Sequence, residues 1–136
     1  MGNISKIHIV SFGHKYGDPP KRASLLFDVR FVKNPHYVEA LRPKTGLDPE
    51  VQVFLMCEDR AVAFLNTLKG LLRLTLPGYL QHGNDHDTVT IAFGCTGGKH
   101  RSVYFADQCE ATIRQLQQEL GFEAEVLVEH RDLGRE

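Results

Sequence analysis

Nine consecutive residues, Gly94-Cys95-Thr96-Gly97-Gly98-Lys99-His100-Arg101-Ser102, hold the residue types best suited to gripping an anion. An apolar, β-branched run precedes them, Thr88-Val89-Thr90-Ile91-Ala92-Phe93, and an amphipathic stretch begins near Arg101. A strand, a tight glycine loop and a helix start in that order make an anion cradle. Backbone N–H groups of the loop converge, and the helix N-terminus adds partial positive charge. Thr96, Gly97 and Gly98 are expected to give backbone donors to a phosphate, and Lys99, His100 and Arg101 to neutralise it. Ser102 is expected to cap the helix and touch a phosphate oxygen. Arg101 can grip two oxygens at once.

Two other chemistries compete for the same residues. The loop is not a Walker A motif, because Phe93 stands where the first glycine should be and His100 where a Ser or Thr should bind magnesium. The spacing Cys95-x5-Arg101 fits the pattern of the cysteine-dependent phosphatases over eight residues. A thiolate at a helix N-terminus can attack phosphorus, with Arg101 holding the oxygens and Ser102 helping the leaving thiolate. That mechanism also needs a general acid, for which Asp18, Asp28 and Asp48 are available. The phosphatase is therefore the enzyme alternative to a binding domain, with Cys95 and Arg101 catalytic.

A second group of charges lies upstream. Asp28-Val29-Arg30-Phe31 leads into Asn34-Pro35-His36-Tyr37, and Asp28 and Arg30 can pair with each other or meet a ligand. Arg30 and His36 are taken as reading the rest of a ligand. Lys15, Arg42, Lys44 and Arg131 are the cations that could form a local basic surface for RNA backbone. The seven histidines show no metal-ligand spacing, so neither metal nor cofactor is expected.

The elements that must position these groups follow from periodicity. Lys6-Ile7-His8-Ile9-Val10-Ser11-Phe12 and Leu25-Leu26-Phe27-Asp28-Val29-Arg30-Phe31 read as strands. Residues 13–22 and the Pro-rich stretch 32–48 read as loops. Asp48-Pro49 opens a helix. Ala61, Phe64, Leu65, Leu68, Leu71, Leu72 and Leu76 recur at helical spacing, with Pro77-Gly78 as the stop. Residues 81–87 read as a polar turn. The helix after the glycine loop buries Ala106, Cys109, Ile113, Leu116 and Leu120 and is capped by Gly121. Residues 123–129 read as a last strand leading into His130-Arg131-Asp132. This alternation predicts an α/β fold, one domain over 1–136, with a mostly parallel central sheet flanked by helices. Ligands then sit beyond the carboxyl ends of the strands, which gathers 13–16, 30–37, 95–102 and 130–131 on one edge.

Composition bounds the partners. The chain has 136 residues and a formal net charge of −1, so no global field draws it to nucleic acid or membrane. Three cysteines without C-x-x-C spacing and no signal peptide point to reduced thiols and the cytoplasm. No apolar run approaches the roughly 20 residues of a membrane span.

Several long motifs in one order resemble the C-terminal domain of the RapZ family, the RNase adapter proteins, also known as nucleotide-binding proteins. They are Ser11-Phe12-Gly13-His14-Lys15-Tyr16-Gly17, Asp28-Val29-Arg30-Phe31-Val32-Lys33-Asn34-Pro35-His36-Tyr37, Leu41-Arg42-Pro43-Lys44-Thr45-Gly46-Leu47-Asp48, residues 91–103 around the glycine loop, and His130-Arg131-Asp132-Leu133. The resemblance implies a bacterial regulator that senses glucosamine-6-phosphate and binds small RNA. It also implies a homo-oligomer that presents the RNA to an endoribonuclease. The loop from Cys95 to Ser102 would form the ligand pocket. Full-length members carry an N-terminal Walker-type domain, expected to be missing here, so ATP or GTP binding enters only as a family association.

Overall fold

The computed structural model describes residues 6–82 and 88–135. Four strands, β1 (Lys6–Gly13), β2 (Leu25–Asp28), β3 (Thr88–Cys95) and β4 (Glu125–His130), pair in the order β2-β3-β1-β4. Every pairing is parallel, with Gly13 opposite Cys95 and Ser11 opposite His130. Three helices, α1 (Pro49–Met56), α2 (Asp59–His82) and α3 (Arg101–Leu120), complete the α/β fold.

The period of two along β1 and β3 decides where the core lies. Ile7, Ile9, Val89, Ile91 and Phe93 join Phe105, Cys109, Ile113 and Leu116 of α3 and Leu68, Leu72 and Leu76 of α2 in one cluster. Phe64 of α2 bridges Phe27, Phe93 and Phe105 edge-on, with centroids 5.2–6.5 Å apart. The connections β2–β3 and β3–β4 step the same way across the sheet. The right-handed crossover rule therefore puts α1, α2 and α3 on one face. The β1–β2 connection steps back and falls to the other face. There Phe12 and His14 lie over Gly94 so closely that a Cβ on Gly94 would meet His14 Nε2 at 2.7 Å.

Three sequence expectations need correction. Helix α2 does not stop at Pro77-Gly78 but runs to His82. Buried Leu76 and half-buried Tyr79 and Leu80 pack on the core, and that burial outweighs the missing Pro77 N–H. Gln81 and His82 thus end a helix, and 83–87 lie outside the described residues. Strand β2 ends at Asp28 rather than Phe31, because the Asp28 carboxylate accepts the Arg30 N–H at 3.0 Å and closes a turn. The stretch 32–48 contains a 3-10 turn, Pro35–Tyr37, capped by Asn34 Oδ1 accepting the His36 N–H. The other elements match closely: β4 begins two residues late, and Gly121 caps α3 at φ +73°, but Leu120, expected in the core, is exposed. Cys109 is a fully buried thiol whose pKa burial pushes up.

Candidate functional site

The carboxyl ends of β1 and β3 meet at a crossing of two glycine backbones. A Cβ on Gly13 would stand 2.6 Å from Gly97 C and 2.7 Å from Gly98 N, so the two loops can touch only because both lack side chains. Gly98 adopts φ +68°, a left-handed conformation that favours glycine. Beyond it α3 starts with His100 in the N-cap position and no side-chain cap. The positive end of a 20-residue helix therefore faces the loop.

Next to this turn is a cavity of about 440 Å³. Cys95, Thr96, Gly97, Lys99, His100 and Arg101 line it from the end of β3 and the glycine loop, and Lys15 from the β1–β2 connection. Asn34, His36, Tyr37 and Arg42 line it from the 29–48 loop. Among the described residues, none that lines it is acidic.

Arg101 dominates the chemistry. Its residue is 5% exposed, and its Nη1 donates to the carbonyls of Arg30 (2.9 Å) and Val32 (3.0 Å). Its Nε is buried with no hydrogen-bond partner. Burial pulls the guanidinium pKa below its ordinary value, the direction expected for a cation held without a carboxylate. His100 Nε2 lies 3.0 Å from the Leu41 carbonyl, which can only accept, so that nitrogen carries the proton. The Lys99 carbonyl accepts the Gly46 N–H at 2.9 Å. Three consecutive residues thus fasten the 29–48 loop to the start of α3.

The expected phosphate ligands sort unevenly. Thr96, Gly97, Lys99, His100, Arg101 and His36 come together at the cavity. Gly98 lies beneath the turn, against Gly13 and Asp132. Ser102 does not cap the helix: it is fully buried, and its Oγ accepts the Cys95 thiol at 3.1 Å, one turn inside the fold. Arg30 is outside the lining, held by Asp28 through Nη2 at 2.7 Å. That guanidinium holds the Asp28 carboxyl down at about 2. Lys15 and Arg42, expected from sequence to meet RNA, line the cavity. Lys44 pairs with Glu50 at 2.8 Å, and Arg131 with Asp132 at 2.9 Å. Asn34, Tyr37 and Asp132 appear in the sequence motifs but were given no site role there. The Asn34-Pro35 turn signal could have pointed to the first two. Of the three aspartates considered as general acids, Asp18, Asp28 and Asp48, none lines the cavity. Asp48 Oδ2 is engaged by the Thr45 N–H at 2.7 Å. Among the described residues no three His, Cys, Asp or Glu side chains cluster to hold a metal, and no helix is long and apolar enough to cross a membrane.

Three histidines are expected to make the stability of the domain depend on pH. Burial is the first cause holding His14, His100 and His130 below 6.5, the ordinary value. The unfolded chain therefore binds more protons than the folded one as pH falls through that value, and stability drops. The urea midpoint is expected to fall between about pH 7.5 and about pH 5.5, most steeply below the ordinary histidine pKa. A flat or rising midpoint would contradict the buried, neutral assignment.

The RapZ C-terminal domain family matches residues 5–134. A nucleotide-binding protein of Mycobacterium avium is 47% identical over 131 residues, covering 96% of this chain and 42% of that protein. One from Frankia casuarinae is 49% identical over 128 residues, covering 94% and 41%. One from Brevibacillus brevis is 46% identical over 133 residues, covering 98% and 42%. The chain thus spans about two fifths of the length of these relatives.

Proposed function

The chain belongs to the RapZ C-terminal domain family, and from that premise we propose that it binds a phosphorylated small molecule in the cavity at the head of α3. The ligand class is an aminosugar phosphate such as glucosamine-6-phosphate, and the domain acts as a metabolite-sensing regulator. One observation carries the most weight: Arg101 is buried at a cavity with no acidic lining, and its Nε has no partner. A desolvated cation is costly unless an anion or good acceptors compensate it. The helix N-terminus and the residue 96–98 backbone point the same way. Arg30, Lys44 and Arg131, in contrast, are each neutralised by a carboxylate of the chain.

RNA binding is a linked role on the cavity rim, where Lys15 and Arg42 present their cations, and delivery of that RNA to an endoribonuclease belongs to the same proposal. RNA held this way loses affinity steeply with salt, each phosphate contact adding about −0.7 to the log–log slope. A salt-independent gel shift would remove the RNA role.

The ligand is tested by amide NMR titration with glucosamine-6-phosphate and with inorganic phosphate. Saturable shifts at Gly97, Gly98 and His100, larger for the sugar phosphate, are the expected result. Absence of shifts with both would overturn the reading. ATP as a third probe separates a nucleotide site from a sugar-phosphate site. Cys95→Ser should keep affinity within about threefold, under 1 kcal/mol. The wild-type chain should leave an aryl phosphate unhydrolysed. Hydrolysis lost in Cys95→Ser would establish the phosphatase instead.

A further inference from the structure

Asp132 lies two residues past β4 and is fully buried, yet it carries a charge. A buried carboxylate persists only with partners. Its Oδ2 accepts the Gly13 N–H at 2.8 Å and Arg131 Nη2 at 2.9 Å, and its Oδ1 is ion-paired with Arg135 Nε at 3.2 Å. These groups sit directly under the glycine crossing. A Cβ on Gly98 would fall 2.7 Å from Gly13 N and 3.1 Å from Asp132 Cβ. Two residues beyond Gly13, the Lys15 N–H donates to the Thr96 carbonyl at 3.2 Å, and Lys15 lines the cavity. Arg131 reaches further along the same connection, donating from Nη1 to the Asp18 carbonyl at 2.6 Å while its guanidinium covers the Phe12 ring at 5.3 Å. The segment after β4 therefore holds both ends of the turn that carries Lys15.

We propose that Asp132 is a positioning residue for the anion cavity: by accepting the Gly13 N–H it fixes the Gly13–Gly98 crossing, and with it the aim of the 96–98 amides and of Lys15. It touches no ligand itself. A carboxylate this near a phosphate loop would repel an anion if it stood alone. Arg131 and Arg135 reverse the sign of the local charge, so the acceptor is present without a negative field at the cavity. The consequence for affinity rests on the phosphate reading above; the consequence for the loop does not.

The experiment uses Asp132→Ala and Asp132→Asn. Asn keeps an oxygen for Gly13, but it gives up the charge and puts an NH2 where Oδ1 faced the Arg131 and Arg135 Nε donors, which partly exposed Arg131 and half-exposed Arg135 can turn to water. Two readouts are taken: amide exchange in the ligand-free protein, and affinity for inorganic phosphate. Asp132→Ala should speed exchange at Gly13 and Lys15 by about tenfold or more, and leave Ile9 and Ile91 in the sheet protected. It should weaken phosphate binding by about tenfold, and Asp132→Asn should restore both within about threefold. If Asp132→Ala does not fold, Asp132→Ser, too short to reach Gly13, carries the same expectation. Wild-type exchange at Gly13 and Lys15, or a uniform rise that includes Ile9 and Ile91, overturns the positioning role even if phosphate binds normally. Faster exchange at Gly13 and Lys15 in a protein that binds no phosphate in either form upholds the role and removes the phosphate reading.

Discussion

Arg101→Met is expected to weaken phosphate binding by at least about a hundredfold, roughly 2.7 kcal/mol, and to change folding stability by under about 1 kcal/mol. The two numbers diverge because the guanidinium contributes to them in opposite ways. For the ligand, Arg101 supplies charge and the partnerless Nε at the cavity. Charge-assisted bonds of that kind are the strong ones. For the empty protein, its two bonds to the Arg30 and Val32 carbonyls are offset by the desolvation of a 5% exposed cation. Methionine fills similar volume without that penalty. Arg101→Lys should fall between, losing about tenfold in affinity. A point-charge ammonium cannot hold both carbonyls and still offer the planar fork. Isothermal titration with inorganic phosphate and glucosamine-6-phosphate, beside urea unfolding, reads both quantities. Binding within about threefold of wild type in Arg101→Met would remove the anion site.

Gly46→Ala should destabilise the fold by about 2–3 kcal/mol, at the upper end for a single added methyl. Gly46 lies flat against the first turn of α3, where a Cβ would stand 2.5 Å from Tyr104 N, closer still to the His100 carbonyl, and 3.0 Å from Val103 Cβ. Two of those neighbours are helix backbone and cannot move aside. The 29–48 loop must lift instead, stretching the bond from Gly46 N–H to the Lys99 carbonyl. Gly70 gives the control. It sits inside α2 with nothing within 4 Å of the place a methyl would take, so Gly70→Ala should stabilise by about 0.5–1 kcal/mol through helix propensity. Urea midpoints of the two variants moving in the same direction would show that packing at Gly46 is looser than the contacts imply.

The parts of the fold legible in the sequence are those governed by one local pattern. The β-branched run before Gly94, the apolar stripe from Ala61 to Leu76 and the Asp48-Pro49 start each name their element without reference to the rest. The Pro77 stop failed because a local rule met a tertiary one: Leu76, Tyr79 and Leu80 had core to bury against. The geometry of the glycine loop was legible for the same reason as β3, since strand, glycines and helix start are contiguous. The roles of the cations were not. Arg30, Arg42, Lys44 and Arg131 look alike in sequence, and only the fold decides that three of them meet Asp28, Glu50 and Asp132 while Arg42 turns to the cavity. Ser102 was misread because Cys95, seven residues earlier, takes up its hydroxyl. Asp132 entered only as part of the His130-Arg131-Asp132-Leu133 motif, and its role was not legible because its partner Gly13 is 119 residues away.

The fastening of the 29–48 loop sets a different kind of constraint, one on chain length. Lys99, His100 and Arg101 reach Gly46, Leu41 and the Arg30–Val32 carbonyls in that order. Each added residue at a helix start turns the later residues by about 100°. One residue inserted or deleted between Gly98 and Arg101 would put all three attachments out of phase together, whatever its identity. Substitutions here remove one tether each, whereas an indel unfastens the whole rim. Loop grafting or library design in this domain therefore loses a single side-chain tether when His100 or Arg101 is replaced, and all three attachments when the spacing changes.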